Sequence, residues 1–151
     1  MELNKKLIEV EKENEELKFQ VEELTDFIEN VSVPLHCING SGIVIWANQA
    51  EFDLLGFTKQ EYLNKHISNF HVDKEIIENI LTRLTKKETL RNYPARLRCK
   101  NGDIKEVLIN SSVYWKNGEF MYTRCFTKDI TECKKEISKY DQKLSEYIIS
   151  R

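Results

Sequence analysis

Three histidines, His36, His66 and His71, and four cysteines, Cys37, Cys99, Cys125 and Cys133, are the side chains of this 151-residue chain best suited to metal ligation or to titration near neutral pH. His66 and His71 bracket Ile67-Ser68-Asn69-Phe70, where a neutral imidazole would ligate a haem iron or hydrogen-bond a carboxylate or ring-shaped ligand. As a metal pair they lack a third ligand nearby in sequence. His36 stands beside Cys37 in an otherwise apolar run. The plainer reading makes His36 a hydrogen-bonded strand residue and leaves the other two to cap or solvate loops. The cysteines form no CxxC or CxxCH, so no zinc knuckle or c-type haem attachment is written locally, and free thiols are expected. There is no Gly-rich phosphate loop, HExxH or nucleophile elbow. A kinase would need a phosphoacceptor helix and an ATP-binding domain, on the order of 100 further residues. The expectation is a protein with no catalytic residues and no metal site.

Composition narrows the setting. Lys and Arg number 23 against 25 Asp and Glu, a formal net charge of −2 that gives no drive towards nucleic acid. Apolar residues make up 40%, enough for one core, and 5 Gly with 2 Pro exclude fibrous and low-complexity classes. The first thirty residues are charged throughout, unlike a secretory signal. The longest uncharged stretch, Asn30 to Ala50, carries Asn, Ser, Pro, His and Gly and is no membrane span. A cytoplasmic protein is expected.

The elements that position these residues begin with a heptad. Leu7, Asn14, Val21 and Ile28 fall at a positions, and Leu3, Val10, Leu17, Leu24 and Val31 at d positions, with no Gly or Pro between. Residues 1–31 carry ten acidic and four basic side chains. Across a parallel pair, Lys6 faces Glu11 of the second copy and Glu13 faces Lys18, both attractive, and Asn14 at a suits a two-stranded coil. The reading is a parallel coiled-coil homodimer over 1–31; a lone amphipathic helix lying on its own domain would need a wider stripe.

Pro34 ends that helix near Ser32-Val33. Leu35–Ile38 and Ile43–Trp46 flank Asn39-Gly40-Ser41-Gly42 and read as a hairpin. Asn48 caps a short helix stopped by Gly56, Thr58-Lys59-Gln60-Glu61 is a capping box, and Asp73 caps a longer helix with Ile76, Ile77, Ile80, Leu81 and Leu84 on one face. Strands are expected over Tyr93–Lys100, Ile104–Tyr114 and Phe120–Thr127, joined by turns at Asn101-Gly102 and Asn117-Gly118. The order β-β-α-α-α-β-β-β, with hairpins joining the last three strands, predicts a mainly antiparallel sheet.

Taken in sequence, Asn39-Gly40-Ser41-Gly42-Ile43, Trp46-Ala47-Asn48-Gln49-Ala50, Leu54-Leu55-Gly56-Phe57-Thr58, Glu61-Tyr62, Arg98-Cys99-Lys100-Asn101-Gly102-Asp103 and Phe126-Thr127-Lys128-Asp129-Ile130-Thr131-Glu132 resemble the PAS sensor domain of bacterial sensor histidine kinases. The resemblance spans about residues 27–132. It implies an α+β fold with a five-stranded antiparallel sheet of order 2-1-5-4-3 and helices over one face enclosing a pocket. With the heptad and the helix beyond Thr131, the chain divides into a parallel coiled-coil helix at 1–31, a PAS domain at 32–131 and a signalling helix at 132–151. Candidate pocket residues are His36, Trp46, His66, Phe70, His71, Ile77 and Cys125. The Gly-x-Asn-Cys-Arg-Phe-Leu-Gln motif of the flavin-binding members is absent after Phe70. The helix Lys74–Leu84 carries no His where the haem-binding members place their axial ligand. A haem or flavin held in an unconventional way, through His36, His66 or His71, stays open.

Beyond Thr131, Ile130, Cys133, Ile137, Tyr140, Leu144 and Tyr147 repeat the a/d spacing as a second, poorer seam, with Cys133 near its twin in a dimer. The junction Asp129-Ile130-Thr131 has side chains able to bond local backbone and set the exit angle of the chain. The expectation is a non-enzymatic sensory and dimerisation module that couples pocket state to the C-terminal helix, with a small-molecule ligand and a kinase or other output module as partners. The alternatives are a haem or flavin redox or gas sensor, and a ligand-free interaction scaffold.

Overall fold

A computed structural model describes all 151 residues. Helix α1, Glu2–Asn30, has no buried residue. It ends two or three residues earlier than Pro34 alone requires, because Val31 is already extended at φ −61, ψ 141. Strands β1 (Leu35–Ile38) and β2 (Val44–Ala47) form the expected hairpin. Asn39 closes its loop by accepting from the Ser41 and Ile43 amides, each at 3.0 Å. Three short helical segments follow: α2 (Gln49–Leu55), α3 (Lys59–Tyr62) and a 3-10 turn (Ile67–Phe70). Then come α4 (Lys74–Thr85), β3 (Leu90–Arg98), β4 (Ile104–Lys116), β5 (Glu119–Asp129) and α5 (Thr131–Ile149).

The five strands make one antiparallel sheet in the order β2-β1-β5-β4-β3. Alternation places His36 and Ile38, Ala95 and Leu97, Val107, Ile109, Ser111 and Val113, and Thr123, Cys125 and Thr127 on the face covered by α2, α3 and α4. Helix α4 contributes Ile77, Ile80 and Leu84 from one stripe, and Phe52, Leu55, Tyr62, Ile67 and Phe70 complete the core. The edge of β3 is not open: the His71–Val72 segment pairs with it through a Val72 N–H to Arg96 carbonyl bond of 3.0 Å.

Three expectations of detail change. Strand β3 starts at Leu90, not Tyr93, because Asn92 takes φ +48 and makes a bulge that breaks the alternation; its amide is satisfied by Asn110 Oδ1 at 3.0 Å. Strands β4 and β5 run further than read, to a two-residue turn at Asn117 (φ 52) and Gly118 (φ 78). Asp73 occupies the N-cap position of α4 but makes no cap bond. Its carboxylate is taken instead by Arg96 in a bidentate pair at 2.7 and 2.8 Å.

Candidate functional site

Sheet and α4 enclose a cavity of about 20 Å³. His36, Ser111, Thr123 and Cys125 wall it from the sheet, and His71, Ile77, Ile80 and Leu84 from the other side. By the same measure one water needs about 10–15 Å³, so there is room for one or two small groups. Sites for drug-sized molecules measure about 300–1,000 Å³. Neither a haem nor a flavin fits here without displacing α4.

A buried polar cluster abuts the cavity. Glu51 is the third residue after Asn48, the cap of α2. Its carboxylate turns inward and is 1% exposed. Oε1 accepts from the Tyr62 hydroxyl at 2.9 Å and lies 3.2 Å from His36 Nδ1. Burial acts to lower the His36 pKa, but Cys125 and the Glu51 carboxylate outweigh it and hold the imidazole protonated well above its ordinary range. Burial, with the Glu51 charge behind it, pushes the Tyr62 phenol well up, so it stays a donor. His71 goes the other way. Its burial, with His36 close by, lowers it to about 4, and it is neutral at physiological pH.

The His71 shift has a consequence for stability. A histidine depressed from about 6.5 to about 4 takes up protons in the unfolded chain before it does in the folded one. Its contribution is full above pH 6.5 and is lost as pH falls towards 4, by up to about 3 kcal/mol. Urea unfolding in carboxylate-free buffers should show this loss in the parent chain and a flatter profile in His71→Gln. Parallel profiles would rule out His71 as the source.

The candidates named from sequence separate into groups. His36, His71, Ile77 and Cys125 meet at the cavity. Phe70 is buried beside them but packs on Tyr62 and Phe57, with ring centroids 4.5 and 5.0 Å apart, as part of the core. His66 caps the 3-10 turn: Nδ1 accepts from the Ser68 amide at 3.2 Å. Its ring lies against Gly42, where a Cβ would come within 2.5 Å of Nε2 and φ is +79, so glycine is required there. Trp46 lies towards the opposite face of the sheet, in an apolar groove of about 490 Å³ with Ile28, Leu35, Tyr122 and Phe126. Its indole N–H donates to Glu29 of α1 at 3.0 Å.

Sequence reading passed over Glu51, Tyr62, Ser111 and Thr123. It saw Asn48 only as a cap. Asn48 does cap α2, accepting from the Glu51 amide at 3.1 Å, but it is wholly buried and also accepts from Leu35 N–H (2.9 Å) and donates to the Ile28 (3.0 Å) and Val33 (2.9 Å) carbonyls. One side chain thus ties the end of α1 to β1 and α2. The only advance signal for the Glu51 cluster was the Asn-x-x-Glu spacing.

At the other end, the Ile130 amide donates to the Glu106 carbonyl at 2.8 Å, and the Thr131 hydroxyl accepts from the Glu106 amide at 3.0 Å. Asp129 accepts from both the Thr131 amide and hydroxyl, and its carboxyl stays below the ordinary range despite partial burial because of those bonds and Lys105. Lys134, in the first turn of α5, reaches Glu106 at 3.3 Å. Asp129, Ile130 and Thr131 therefore pin the start of α5 to the first residues of β4.

No helix is long and apolar enough to cross a membrane. Among known proteins, the chain is 27% identical over 124 residues to hybrid signal transduction histidine kinase L of Dictyostelium discoideum, covering 80% of this chain but only 7% of that protein. Its structure resembles the PAS domain of an HTR-like protein from Haloarcula marismortui, with TM-score 0.69 at 19% identity over 80% of this chain and 99% of that one. A domain of a sensory box sensor histidine kinase/response regulator from Geobacter sulfurreducens gives 0.63 at 21%, over 75% and 96%. An RNA-binding Light-Oxygen-Voltage receptor gives 0.71 at 17%, over 81% and 36%. At these identities the solved structures share the fold. A family model described as PAS domain matches residues 32–132, two thirds of the chain, and with the 2-1-5-4-3 sheet in place the chain belongs to the PAS domain family of signal-transduction sensors.

Proposed function

We propose that this domain works as a non-catalytic sensory module in a parallel dimer, converting the state of its interior cavity into the geometry of α5. One observation carries the reading: β4 touches both ends. Its Ile109 and Ser111 line the cavity, and its Glu106 holds Ile130, Thr131 and Lys134. Five residues of strand, about 17 Å, separate Ser111 from Glu106. The dimer is supported by the seam Leu7, Val10, Asn14, Leu17, Val21, Leu24 and Ile28, exposed along a helix that buries no residue, and by exposed Cys133, Ile137, Tyr140 and Leu144 on α5. A kinase or other output module is the partner this arrangement would drive. The output acts on whichever of two junction states the cavity favours.

The test reads the junction without needing a ligand. In a Cys37→Ser background, spin labels on Cys133 report the distance between the two α5 helices. Ile80→Val, which enlarges the cavity by one carbon at a cost of about 1 kcal/mol, is expected to shift that distance. The shift should vanish when Asp129→Ala is added, with the dimer intact by sedimentation. An equal shift in the presence of Asp129→Ala would remove the junction from the mechanism, and a monomer at micromolar concentration would remove the dimer.

A second reading, a ligand-free interaction scaffold, is favoured by the small size of the cavity. Mass spectrometry of the denatured protein and an absorption spectrum separate the two: a co-purified small molecule supports sensing, whereas none, with Ile80→Val silent at Cys133, supports the scaffold.

A further inference from the structure

The outer face of the sheet carries an apolar surface that a lone chain leaves to solvent. Ile45, Tyr122 and Phe126 stand exposed on it, and with Leu35, Cys37 and Trp46 they form the groove of about 490 Å³. Contiguous exposed apolar surface of this kind marks an interaction site. The one helical residue on its wall is Ile28, near the end of α1. Ile28 is also the last a position of the α1 seam within the helix. A second helix seated on that seam therefore comes to lie over the outer face, at the groove.

The heptad says which side chain arrives there. In a parallel pair each g residue meets the e residue five positions further along the other copy, as Lys6 meets Glu11 and Glu13 meets Lys18. Beyond Lys18 the flanks change to Gln20, Thr25 and Phe27, with no charge among them. The same offset sets the partner's Phe27 against Ser32, which lies past the end of α1 at Asn30. No helix flank remains there to cover an aromatic ring, and Phe27 is 66% exposed in the single chain. The backbone instead turns into β1, whose Leu35 is a wall of the groove. Charge agrees with this placement. Residues 19–31 carry Glu22, Glu23, Asp26 and Glu29 and no base, while the groove is edged by Arg124, whose guanidinium meets the Val113 carbonyl at 3.2 Å.

We propose that the groove is the seat of the second copy's α1, with the partner's Phe27 inserted against Leu35, Trp46 and Phe126 and the reciprocal contact made by two-fold symmetry. This rests on the parallel-dimer reading and adds the sheet to its interface. Each sheet then holds both α1 helices, its own through the Trp46–Glu29 bond and the other through an aromatic anchor.

Two measurements on the full chain test this. In the first, one copy carries Phe27→Cys with Cys37→Ser, and the other, bearing a different tag, keeps Cys37. Both carry Cys133→Ser, and the remaining Cys99 and Cys125 are buried. Under mild oxidation the mixed dimer is expected to cross-link between position 27 and Cys37, as peptide mass spectrometry would show. The rate should be at least about tenfold that of the same pair built with Asp26→Cys, at an f position on the side of the helix away from the seam. In the second, sedimentation equilibrium reads dimer affinity. Phe27→Ala and Phe126→Ala are each expected to weaken the dimer at least about tenfold, and the double substitution little further, as the two sides of one contact require. Phe19→Ala removes an aromatic ring of similar exposure, 63%, from an f position and should leave affinity within about twofold. A cross-link no faster than the Asp26→Cys control, or a Phe27→Ala dimer as tight as Phe19→Ala, overturns the docking while keeping the coiled coil, and leaves the groove to a different partner. A parent chain that is monomeric at micromolar concentration overturns the parallel dimer and the docking together.

Discussion

Glu51→Ala is expected to lower the unfolding free energy at neutral pH by about 3–5 kcal/mol, because removing one member of a buried ion pair leaves the other without compensation. The substitution strips His36 of its counter-charge at 3.2 Å and Tyr62 of its acceptor at 2.9 Å, all three residues lying in the core. The direction with pH follows from the raised His36 pKa. The stabilisation from protonated His36 is fully present below its unfolded value of about 6.5 and is lost as pH rises through the folded value, well above that. The parent should thus lose stability in the alkaline range while Glu51→Ala, already lacking the pair, loses less. Urea denaturation across pH measures both. Glu51→Gln retains an acceptor for Tyr62 and should fall between the two. A loss below about 1 kcal/mol in Glu51→Ala would mean that the cluster is not a charged pair in the folded state.

Asn48→Ala is the second large effect, about 2–4 kcal/mol. Four bonds vanish at a fully buried position, and the Leu35 amide and the Val33 carbonyl lose their side-chain partner together with the α2 cap. The loss is also local. Because Asn48 donates to Ile28 and Val33, the chain between α1 and β1 should open, and limited proteolysis near residues 31–34 should quicken more than overall unfolding does. Asn48→Asp keeps the acceptor for Leu35 and Glu51 but not the donor, so it should retain the cap and still loosen α1. Equal proteolysis in all three proteins would show that Trp46–Glu29 and packing suffice to hold the helix.

Local chemistry explains which elements were legible. The α1 helix, the Asn-Gly turns, the Thr58 capping box and the apolar stripe of α4 are each written in local residue patterns, and the structure contains each of them. In the capping box the Glu61 amide lies 3.3 Å from Thr58 Oγ1. Strand β3 was truncated because Asn92 at positive φ shifts the side-chain phase, and a period-two reading has no memory across a bulge. Asp73 looked like a helix cap because its partner Arg96, 23 residues away, is invisible to a local pattern.

The same division runs through the site. Periodicity and turn propensity, which act over short range, were enough to find the elements and the chemical types available, and the resemblance to the PAS domain supplied the strand order. Which histidine faces what was set by long-range packing. His66 and His71 are five residues apart, yet one is consumed by the Ser68 amide and the other lies buried at the cavity wall, because the 3-10 turn between them swings their side chains onto different surroundings. Trp46, one of the pocket candidates in sequence, lies towards the outer face of the sheet, where its indole reaches α1. Glu51, unremarkable as a charged helix residue, became the centre of the buried cluster because Tyr62 and His36 arrive from two other elements to hold its charge. A buried carboxylate is tolerated only when partners converge on it, and convergence is a property of the folded chain.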